Sequence, residues 1–254
     1  MKYVDEILNN SKKHKIKVES GGAFISKGST IAAGVTLVSE ILSKQNSKNI
    51  IYQIKEDGDL LKRGDVLLSV RGAYGDIASI KNDCLNIFSE LCGVSLAVQK
   101  FKQEIKDLDC QILFFQNNLP GLGEYYNQTI VNSGGLIISN NTPYLSANLW
   151  DDVDSMNELL DNLDAEDIFV EVRNIEEFNQ LTVSKCTHIV CLNFTDEDLE
   201  YIRYNNNYKK IVIKNNMTFP SIRSFAKKGA DYLIINNFNS QVKKFDIDFS
   251  YFTK

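Results

Sequence analysis

"KKIVIKNNMTFPSIRSFAKKGADYLIINN", residues 209–237, contains two short apolar runs separated by a segment of helical character. The runs "KKIVIK" and "DYLIINN" are typical of strands, and "FPSIRSFAKKG" between them is typical of a helix. A strand, a helix and a second strand in this order indicate a parallel βα unit. The stretch therefore predicts that its two strands belong to one parallel sheet.

The same alternation extends toward the N-terminus. Four more apolar runs precede the stretch, namely "QILFF", "GGLIIS", "DIFVEV" and "HIVCLNF". The helical segments between the runs are "SANLWDDVDSMNELLDNL", "NIEEFNQL" and "DEDLEYIRY". This many βα units predict a barrel. Ligands of such barrels bind at the carboxyl ends of the strands, so the residues just after each run are the candidates for function.

The first 105 residues follow a different pattern. An amphipathic helix opens the chain, and "LVSEILSKQ" predicts a second helix. Residues 50–71 alternate apolar and polar side chains in runs that are joined by Asp-Gly and Gly-Asp turns, which predicts antiparallel strands. Residues 84–105 repeat apolar side chains at helical spacing. We therefore predict an α/β protein with an N-terminal domain of residues 1–105 and a barrel domain of residues 106–254.

Composition and charge exclude several classes of protein. The chain has 254 residues and a formal net charge of −5, which argues against nucleic acid as the main partner. No apolar run approaches the roughly 18 residues of a membrane span. The first ten residues contain no apolar segment of a signal peptide, so we predict a cytoplasmic protein that binds no membrane. The five cysteines lack CxxC spacing, which predicts buried thiols and no metal site.

An ordered set of segments matches one known family. The set is "EDGDLLKRGDVLLSVRGAYGDI", "CLNIFSELCGVSL", "LPGLGEYY", "SGG", "VEVRNIEEF", "LNFTDEDL" and "GADYLIINN". Through it the chain resembles quinolinate phosphoribosyltransferase, also called nicotinate-nucleotide pyrophosphorylase, and its molybdenum-operon paralogue. The resemblance implies the type II phosphoribosyltransferase-like fold, an N-terminal α/β sandwich domain with a dimerisation helix and an incomplete parallel α/β barrel. It also implies a homodimer in which a neighbouring subunit completes each active site at the barrel mouth.

The resemblance implies an activity whose charged residues this chain lacks. The family transfers a phosphoribosyl group from PRPP to quinolinate and decarboxylates the product, so its site holds many Arg, Lys and His side chains. The family's Arg-Lys and His-Arg pairs and its two glycine-containing phosphate loops fall here on neutral residues, namely Gln116, Asn117, Ile138, Ser139, Asn215, Asn216, Asn236 and Asn237. Its remaining charged positions fall on Asn82, Leu149 and Leu192, although Asn193 matches.

Glu171 is the residue of the family's site that this chain keeps. It is our candidate for a remnant general base or polar anchor. An equally good interpretation is a carboxylate at a strand end that pairs with a neighbouring lysine. The asparagine pairs have two interpretations as well, since Asn is favoured in turns but also provides a polar, neutral lining for a pocket.

A long interval without cations supports the loss of anion binding. Residues 107–172 contain no Lys, Arg or His and twelve acidic side chains. This interval is predicted to build the first strands and loops of the barrel mouth. Only the second half of the barrel can then supply positive charge, and its candidates are Lys185, Lys209 and Lys214.

Three hypotheses follow from these patterns. The first is a degenerate quinolinate phosphoribosyltransferase-like protein that lacks the PRPP-dependent reaction and has a binding or regulatory role. The second is an enzyme of the family with a less anionic substrate, acting through Glu171 and an Asn-lined mouth. The third is an active phosphoribosyltransferase whose charges come from other segments. Candidate ligand-binding residues are Gln116, Asn117, Ser139, Asn193, Lys214, Asn215, Asn216, Asn236 and Asn237.

The hypotheses differ in cofactors and partners. No cofactor is expected unless the family reaction is retained, in which case PRPP and Mg²⁺ are required. The expected partners are a second copy of the chain, or an active homologue in a heteromer, and a small polar ligand.

Overall fold

The computed structural model describes residues 2–10, 18–149, 153–181, 184–206 and 208–252. The chain divides into two compact units. The first unit comprises Met1–Gln99, Asn117–Gly134 and Val242–Lys254. The second unit comprises Lys100–Gln116 and Gly135–Gln241.

Strands and helices alternate along most of the chain. In chain order the strands are β1 Glu19–Ser26, β2 Thr30–Ile31, β3 Ile50–Gln53, β4 Leu60–Leu61, β5 Val66–Ala73, β6 Gln111–Phe115, β7 Leu136–Ile138, β8 Tyr144–Ser146, β9 Phe169–Val172, β10 His188–Leu192, β11 Lys210–Asn215, β12 Tyr232–Ile235 and β13 Ile247–Phe252. The helices are α1 Lys2–Asn10, α2 Val35–Gln45, α3 Tyr74–Glu104, α4 Gly123–Asn132, α5 Val153–Asn162, α6 Ile175–Gln180, α7 Asp196–Asn205, α8 Ile222–Lys227 and α9 Phe238–Gln241.

The first unit is built on an antiparallel sheet of order β13-β1-β5-β3. Side chains alternate between the two faces of a strand, and one face of this sheet is apolar. Phe24 of β1 and Leu68 and Val70 of β5 are completely buried there. The ring of Phe24 lies 5.1 Å from that of Phe88 in α3, so this face packs against the long helix. The short strands β2 and β4 pair separately.

The second unit contains a parallel sheet of seven strands in the order β7-β6-β12-β11-β10-β9-β8. Every strand contributes to one interior layer, formed by Leu113, Ile138, Tyr144, Phe169, Val190, Val212 and Ile234. The sheet is curled, because the rings of Phe115 and Tyr144 lie 5.0 Å apart although four strands separate β6 from β8. In the described residues β7 and β8 do not pair, so the barrel is incomplete.

The predicted fold class is confirmed. All six apolar runs form strands of the parallel sheet, and the predicted helices lie between them. The antiparallel pairing predicted within residues 50–71 is found between β3 and β5. Strand β8 was not predicted, because it has only three residues and directly follows Pro143.

The compact units are interleaved along the chain, whereas we predicted one boundary between residues 105 and 106. Residues 117–134, which include α4, and residues 242–254, which include β13, belong to the first unit. The C-terminal segment belongs there because β13 pairs antiparallel with β1, from Gly21 opposite Phe252 to Ser26 opposite Ile247. The end of the chain therefore completes the sheet that begins near its start.

Two predictions from composition can be compared with the structure. All five cysteines are buried and none forms a disulfide, as expected for structural thiols. Burial raises the pKa of the Cys191 thiol to about 12, so it is not a reactive thiolate at neutral pH. In the described parts of the chain no helix is long and apolar enough to cross a membrane.

Candidate functional site at the barrel mouth

Parallel pairing brings several candidate residues to one end of the curled sheet. Glu171 of β9 lies opposite Val190 of β10, and Lys214 of β11 lies opposite Leu192 at the end of β10. Both charged side chains come two residues after a member of the interior layer, Phe169 and Val212 respectively. Because side chains two apart share a face, Glu171 and Lys214 point into the barrel. We call this carboxyl end of the second unit's sheet the barrel mouth.

A cluster of three polar side chains, the buried Glu171 and the partly buried Lys214 and Tyr144, occupies the barrel mouth. The Nζ of Lys214 lies 2.7 Å from Oε2 of Glu171 and donates a second hydrogen bond to the Tyr144 hydroxyl at 3.1 Å. The Tyr144 hydroxyl in turn donates to the same Oε2 at 2.9 Å. Only 8% of the Glu171 side chain and 18% of the Lys214 side chain are exposed. Glu171 therefore pairs with a neighbouring lysine, the contact that the second of its two interpretations expects.

Aromatic rings enclose the ammonium group of Lys214. Its Nζ lies 5.4 Å from the ring centre of Phe115 and 5.2 Å from that of Tyr144, within the range of cation–π attraction. Burial raises the pKa of Tyr144 well above its usual value, and the neighbouring charge of Glu171 raises it further. Tyr144 is therefore a neutral hydrogen-bond donor at physiological pH.

A second layer of rings lies toward the amino end of the strands. Tyr144, Phe169 and His188 lie side by side at one level of β8, β9 and β10, and the rings of Phe169 and His188 stack with centres 4.1 Å apart. Burial lowers the pKa of His188, although Asp167 and Asp231 oppose the shift. His188 therefore contributes a neutral, stacked ring beneath the cluster.

The asparagines at and after the ends of β11 and β12 lie at the carboxyl end of the sheet, and several stabilise turns. The side-chain oxygen of Asn237 accepts from the backbone N–H of Met217 at 2.8 Å, and that of Asn215 accepts from the backbone N–H of Asn216 at 2.7 Å. The backbone N–H of Asn236 donates to the carbonyl of Asn215 at 3.0 Å. These bonds support the interpretation of the asparagines as turn residues, and they leave the Asn216 side chain exposed at the mouth.

Gln116, Ser139 and Asn193 also follow barrel strands, and the first two accept hydrogen bonds from backbone N–H groups. Gln116 accepts from the N–H of Asn140 at 3.0 Å, and Ser139 accepts from the N–H of Asn141 at 3.2 Å. Asn193 has a φ of 60°, the left-handed conformation that Asn tolerates better than most residues. These three positions therefore have a structural explanation that needs no ligand.

Asn117 belongs to the first unit, whereas the other candidates belong to the second. Its backbone N–H donates to the side chain of Asn127 at 2.8 Å, and its side-chain oxygen accepts from the N–H of Leu119 at 2.9 Å. The side chain thereby fixes the turn before α4. This bonding accounts for an asparagine at the position without a role in a ligand site.

Two of the three candidate lysines lie at the opposite end of the sheet. Lys209 donates to the carbonyls of Ser184 and Cys186, which precede β10, at 2.6 and 2.9 Å. Lys185 donates to carbonyls in the connection that leads to β9. Lys214 is therefore the candidate lysine that the structure brings to the mouth.

The two cations found at the mouth, Lys214 and Arg173, both lie beside the carboxylate of Glu171. Besides Lys214, the half-exposed Arg173 lies near Glu171, with Nη2 and Oε1 3.9 Å apart. Residues 107–172, which form β6, β7, β8 and β9, contribute no cation. No group of three or more His, Cys, Asp or Glu side chains that could hold a metal is found among the described residues. The cluster is therefore suited to hydrogen bonding and ring stacking rather than to binding several negative groups.

Tyr144 and Phe115 were not among the site residues predicted from the sequence. Phe115 ends the run "QILFF" and could have been selected as an interior residue of a strand end. Tyr144 lies on the unpredicted β8, and its contact with Lys214 joins residues 70 positions apart across the curled sheet. Sequence spacing carries no signal for such a contact.

Comparison with known proteins identifies the fold and a family match for one part of the chain. The family model "Quinolinate phosphoribosyl transferase, N-terminal domain" matches residues 8–101. The probable nicotinate-nucleotide pyrophosphorylase (carboxylating) of Bacillus subtilis (strain 168) is 20% identical over 236 residues, which are 88% of this chain and 80% of the relative. The protein of that name from Archaeoglobus fulgidus is 23% identical over 113 residues, 44% of this chain and 43% of the relative.

Solved structures share the fold along nearly the whole chain. The nicotinate-nucleotide pyrophosphorylase of Francisella tularensis superposes with a TM-score of 0.87 at 17% identity, covering 99% of this chain and 95% of that chain. The protein of that name from Ehrlichia chaffeensis gives 0.86 at 17% identity, covering 99% and 98%. At these identities the superpositions show a shared fold. Residues 8–101 are thus similar to the N-terminal domain of quinolinate phosphoribosyltransferases, and nearly the whole chain shares the fold of nicotinate-nucleotide pyrophosphorylases.

Proposed function

We propose that this chain does not carry out the PRPP-dependent reaction of its family, and that it binds a small polar ligand without large negative charge in a binding or regulatory role. The observation that carries the proposal is the pair of Glu171 and Lys214, whose charged atoms lie 2.7 Å apart inside the barrel mouth. The lysine at the mouth is thus neutralised by a carboxylate. An entering polyanion has to compete with that carboxylate and is repelled by it.

The binding energy that the missing charged side chains would contribute supports the same conclusion. A hydrogen bond to a charged group contributes about 1.5–3 kcal/mol. Losing four or more such bonds forfeits on the order of 6–12 kcal/mol, which is the whole binding energy of a micromolar ligand or more. Arg173 and Lys214 both lie beside Glu171, and no cation comes from residues 107–172. The mouth therefore has no independent clamp for two highly anionic substrates.

The remaining groups favour a planar, uncharged ligand. An ammonium has three donors, and Lys214 uses two of them on Glu171 and Tyr144. One N–H is left for a carbonyl or hydroxyl oxygen of a ligand. Phe115 and Tyr144 provide aromatic faces beside it, and the exposed amide of Asn216 adds a neutral donor and acceptor at the mouth. An aromatic amide or alcohol satisfies these groups without disturbing the pair.

Calorimetric titration with PRPP in the presence of Mg²⁺ and with quinolinate tests the proposal directly. We expect no heat of binding for either compound and no release of pyrophosphate when both are present. The Bacillus subtilis relative, assayed in parallel, is the positive control for the assay. Turnover by the chain would overturn the proposal, and an unbiased screen of uncharged ligands then separates a binding role from an enzyme with another substrate.

A charge-neutral variant tests the observation that carries the proposal. Glu171→Gln leaves Lys214 without its carboxylate, so we expect quinolinate to bind this variant at least about tenfold more tightly than the wild type. Glu166→Gln makes the same chemical change at an exposed position and serves as the matched control. Equal affinity of the two variants for quinolinate would mean that the pair is not what excludes anions.

The proposal includes the family's assembly. We propose a homodimer, or a heteromer with an active homologue in which this chain has a regulatory role. Sedimentation equilibrium of the chain alone and after mixing with an active homologue distinguishes the two. A monomer that does not associate with the homologue would contradict both.

A further inference from the structure

A row of four residues crosses the sheet of the first unit at one register. Phe252 of β13 lies opposite Gly21 of β1, Gly21 lies opposite Arg71 of β5, and Arg71 lies opposite Ile50 of β3. Residues in register on neighbouring strands share a face. Side chains one or three positions apart on a strand point to opposite faces. Ile51 follows Ile50 and Phe249 lies three positions before Phe252, and both pack with the buried core. The row therefore faces away from that core. We call this row and its surroundings the glycine pocket.

The glycine gives the row its concave shape. Gly21 lacks a side chain, and a Cβ there would overlap the ring of Phe252, so the ring lies across β1 toward Arg71. The guanidinium carbon of Arg71 lies 5.8 Å from the centre of that ring. The resulting cavity has a volume of about 340 Å³, in the size range of small-molecule sites. Its apolar walls are Phe252 and Ile50.

The cations that line the glycine pocket differ from those of the barrel mouth in how they are paired. Two cations, Lys48 and Arg71, line the cavity together with one carboxylate, Glu19. Within the described residues neither Lys48 nor Arg71 forms a salt bridge. The pocket therefore carries a formal charge of about one positive unit, which favours a monoanion over a neutral ligand and gives little advantage to a dianion.

We propose that the glycine pocket binds a small organic monoanion with an apolar body. Its carboxylate or sulfonate group is held by Arg71 and Lys48, and its apolar part packs against Phe252 and Ile50. Arg71 suits this role because a guanidinium presents a planar pair of donors to a carboxylate. The site lies entirely within the first unit and is independent of the function proposed for the barrel.

Fluorine NMR with para-fluorobenzoate as the probe tests the site. We expect the probe to bind the wild-type chain, whereas para-fluorobenzyl alcohol, which lacks the charge, does not. Arg71→Gln should weaken binding about tenfold, since it removes a charged hydrogen-bonding group. Lys48→Gln, in a turn outside any strand or helix, should weaken binding severalfold and keeps the test valid if the strand variant fails to fold.

Two control variants locate the probe. Arg63→Gln removes an exposed arginine of the same unit that does not line the cavity, and it should leave binding unchanged. Lys210→Met, which changes an exposed lysine of the second unit, should also leave binding unchanged, whereas loss of binding in that variant would place the probe outside the glycine pocket and overturn the proposal. Unchanged binding in both pocket variants, or equal binding of the alcohol, overturns it as well. If Arg71→Gln dissociates an oligomer but still binds the probe, the proposal is also overturned, because this face of the sheet is then a contact between copies of the chain.

Discussion

The two ends of the parallel sheet hold their lysines in different ways. At the amino end Lys209 donates to carbonyls that precede β10, and Lys210 pairs with Asp231 at 3.0 Å. At the carboxyl end Lys214 pairs with Glu171 inside the barrel. The Lys210 side chain is 54% exposed, whereas that of Lys214 is 18% exposed. Similar ion pairs therefore occupy very different environments at the two ends.

The difference indicates that the effect of a lysine on stability in this fold depends on whether its ion pair is buried or exposed. An exposed pair is solvated before and after folding, so it contributes little to stability. A buried pair has lost its water, and each partner depends on the other. The amino end thus tolerates the loss of a charge, whereas the carboxyl end, where the family binds its ligands, depends on one internal pair.

The largest effect is expected from breaking the buried pair. Lys214→Met leaves Glu171 buried without its main partner and should lower the free energy of unfolding by about 3 kcal/mol. We choose the low end of the usual range because Arg173 remains 3.9 Å from Glu171. Urea denaturation followed by circular dichroism measures the change. The double variant Glu171→Gln with Lys214→Met should recover much of the loss, because it removes both charges.

A small effect of Lys214→Met would contradict this interpretation of the barrel mouth. A loss below about 1 kcal/mol, typical of surface pairs, would mean that water reaches Glu171 in solution. The mouth would then be open to ions, and the case against anionic substrates would weaken. The double-mutant cycle also yields the coupling energy between the two side chains, which additivity cannot supply for residues in contact.

An intermediate effect is expected from the hydroxyl of Tyr144. Tyr144→Phe removes one donor to Glu171 and should cost about 1.5–3 kcal/mol, as for hydrogen bonds to charged groups. Because the pKa values of Tyr144 and Tyr126 are both raised well above the usual value, alkaline ultraviolet titration of the wild-type chain should show late-ionising tyrosines, and the variant should show one fewer. Tyr208→Phe is the matched control, since Tyr208 is 97% exposed. Equal stability losses in both variants would exclude a role for the Tyr144 hydroxyl.

A smaller effect is expected from His188 and depends on pH. Its folded-state pKa lies below the ordinary value of 6.5, because burial disfavours the charged ring. As the pH falls below about 6.5, the unfolded chain takes up a proton more readily than the folded chain. The free energy of unfolding should therefore fall between about pH 7 and about pH 5.5, above the range of most carboxylates.

His188→Phe separates this contribution from others. The variant keeps an aromatic ring next to Phe169 and should show a flatter stability profile between neutral pH and about pH 5.5. Proton NMR should find one histidine that titrates below the usual value, and its signal should be missing from the variant. The other histidine, His14, lies outside the described residues. An identical pH profile in both proteins would exclude His188 as the source.

The sequence predicted the parts of the fold that depend on local pattern. The apolar runs predicted six of the strands of the parallel sheet, because a buried strand needs a continuous apolar segment. The carboxyl ends of those strands predicted that Glu171 and Lys214 belong to one region. Strand β8 and the pairing of β13 with β1 were not predicted, since a three-residue strand has no measurable period and strand partners are set by tertiary packing.

The arrangement within the site could not be predicted for a related reason. Tyr144 reaches Lys214 only because the sheet curls, and curvature is a property of all its strands together. The asparagines were ambiguous because the same side chain that lines a pocket also stabilises a turn. Asn237 and Asn215 bond to backbone N–H groups, and this choice depends on loop geometry that the sequence does not specify.

The smallest effect is expected at the amino end of the sheet. Lys210→Met removes the exposed partner of Asp231, and Asp231 keeps a second bond from the backbone N–H of Ile211 at 2.9 Å. We therefore expect no measurable change in the urea midpoint, in contrast to the identical substitution at Lys214. High salt should not alter the result, because the pair is already screened by solvent. If Lys210→Met were as destabilising as Lys214→Met, burial would not be what distinguishes the two ends of the sheet. The pairing of Lys214 with Glu171 would then be no stronger an argument than any surface ion pair.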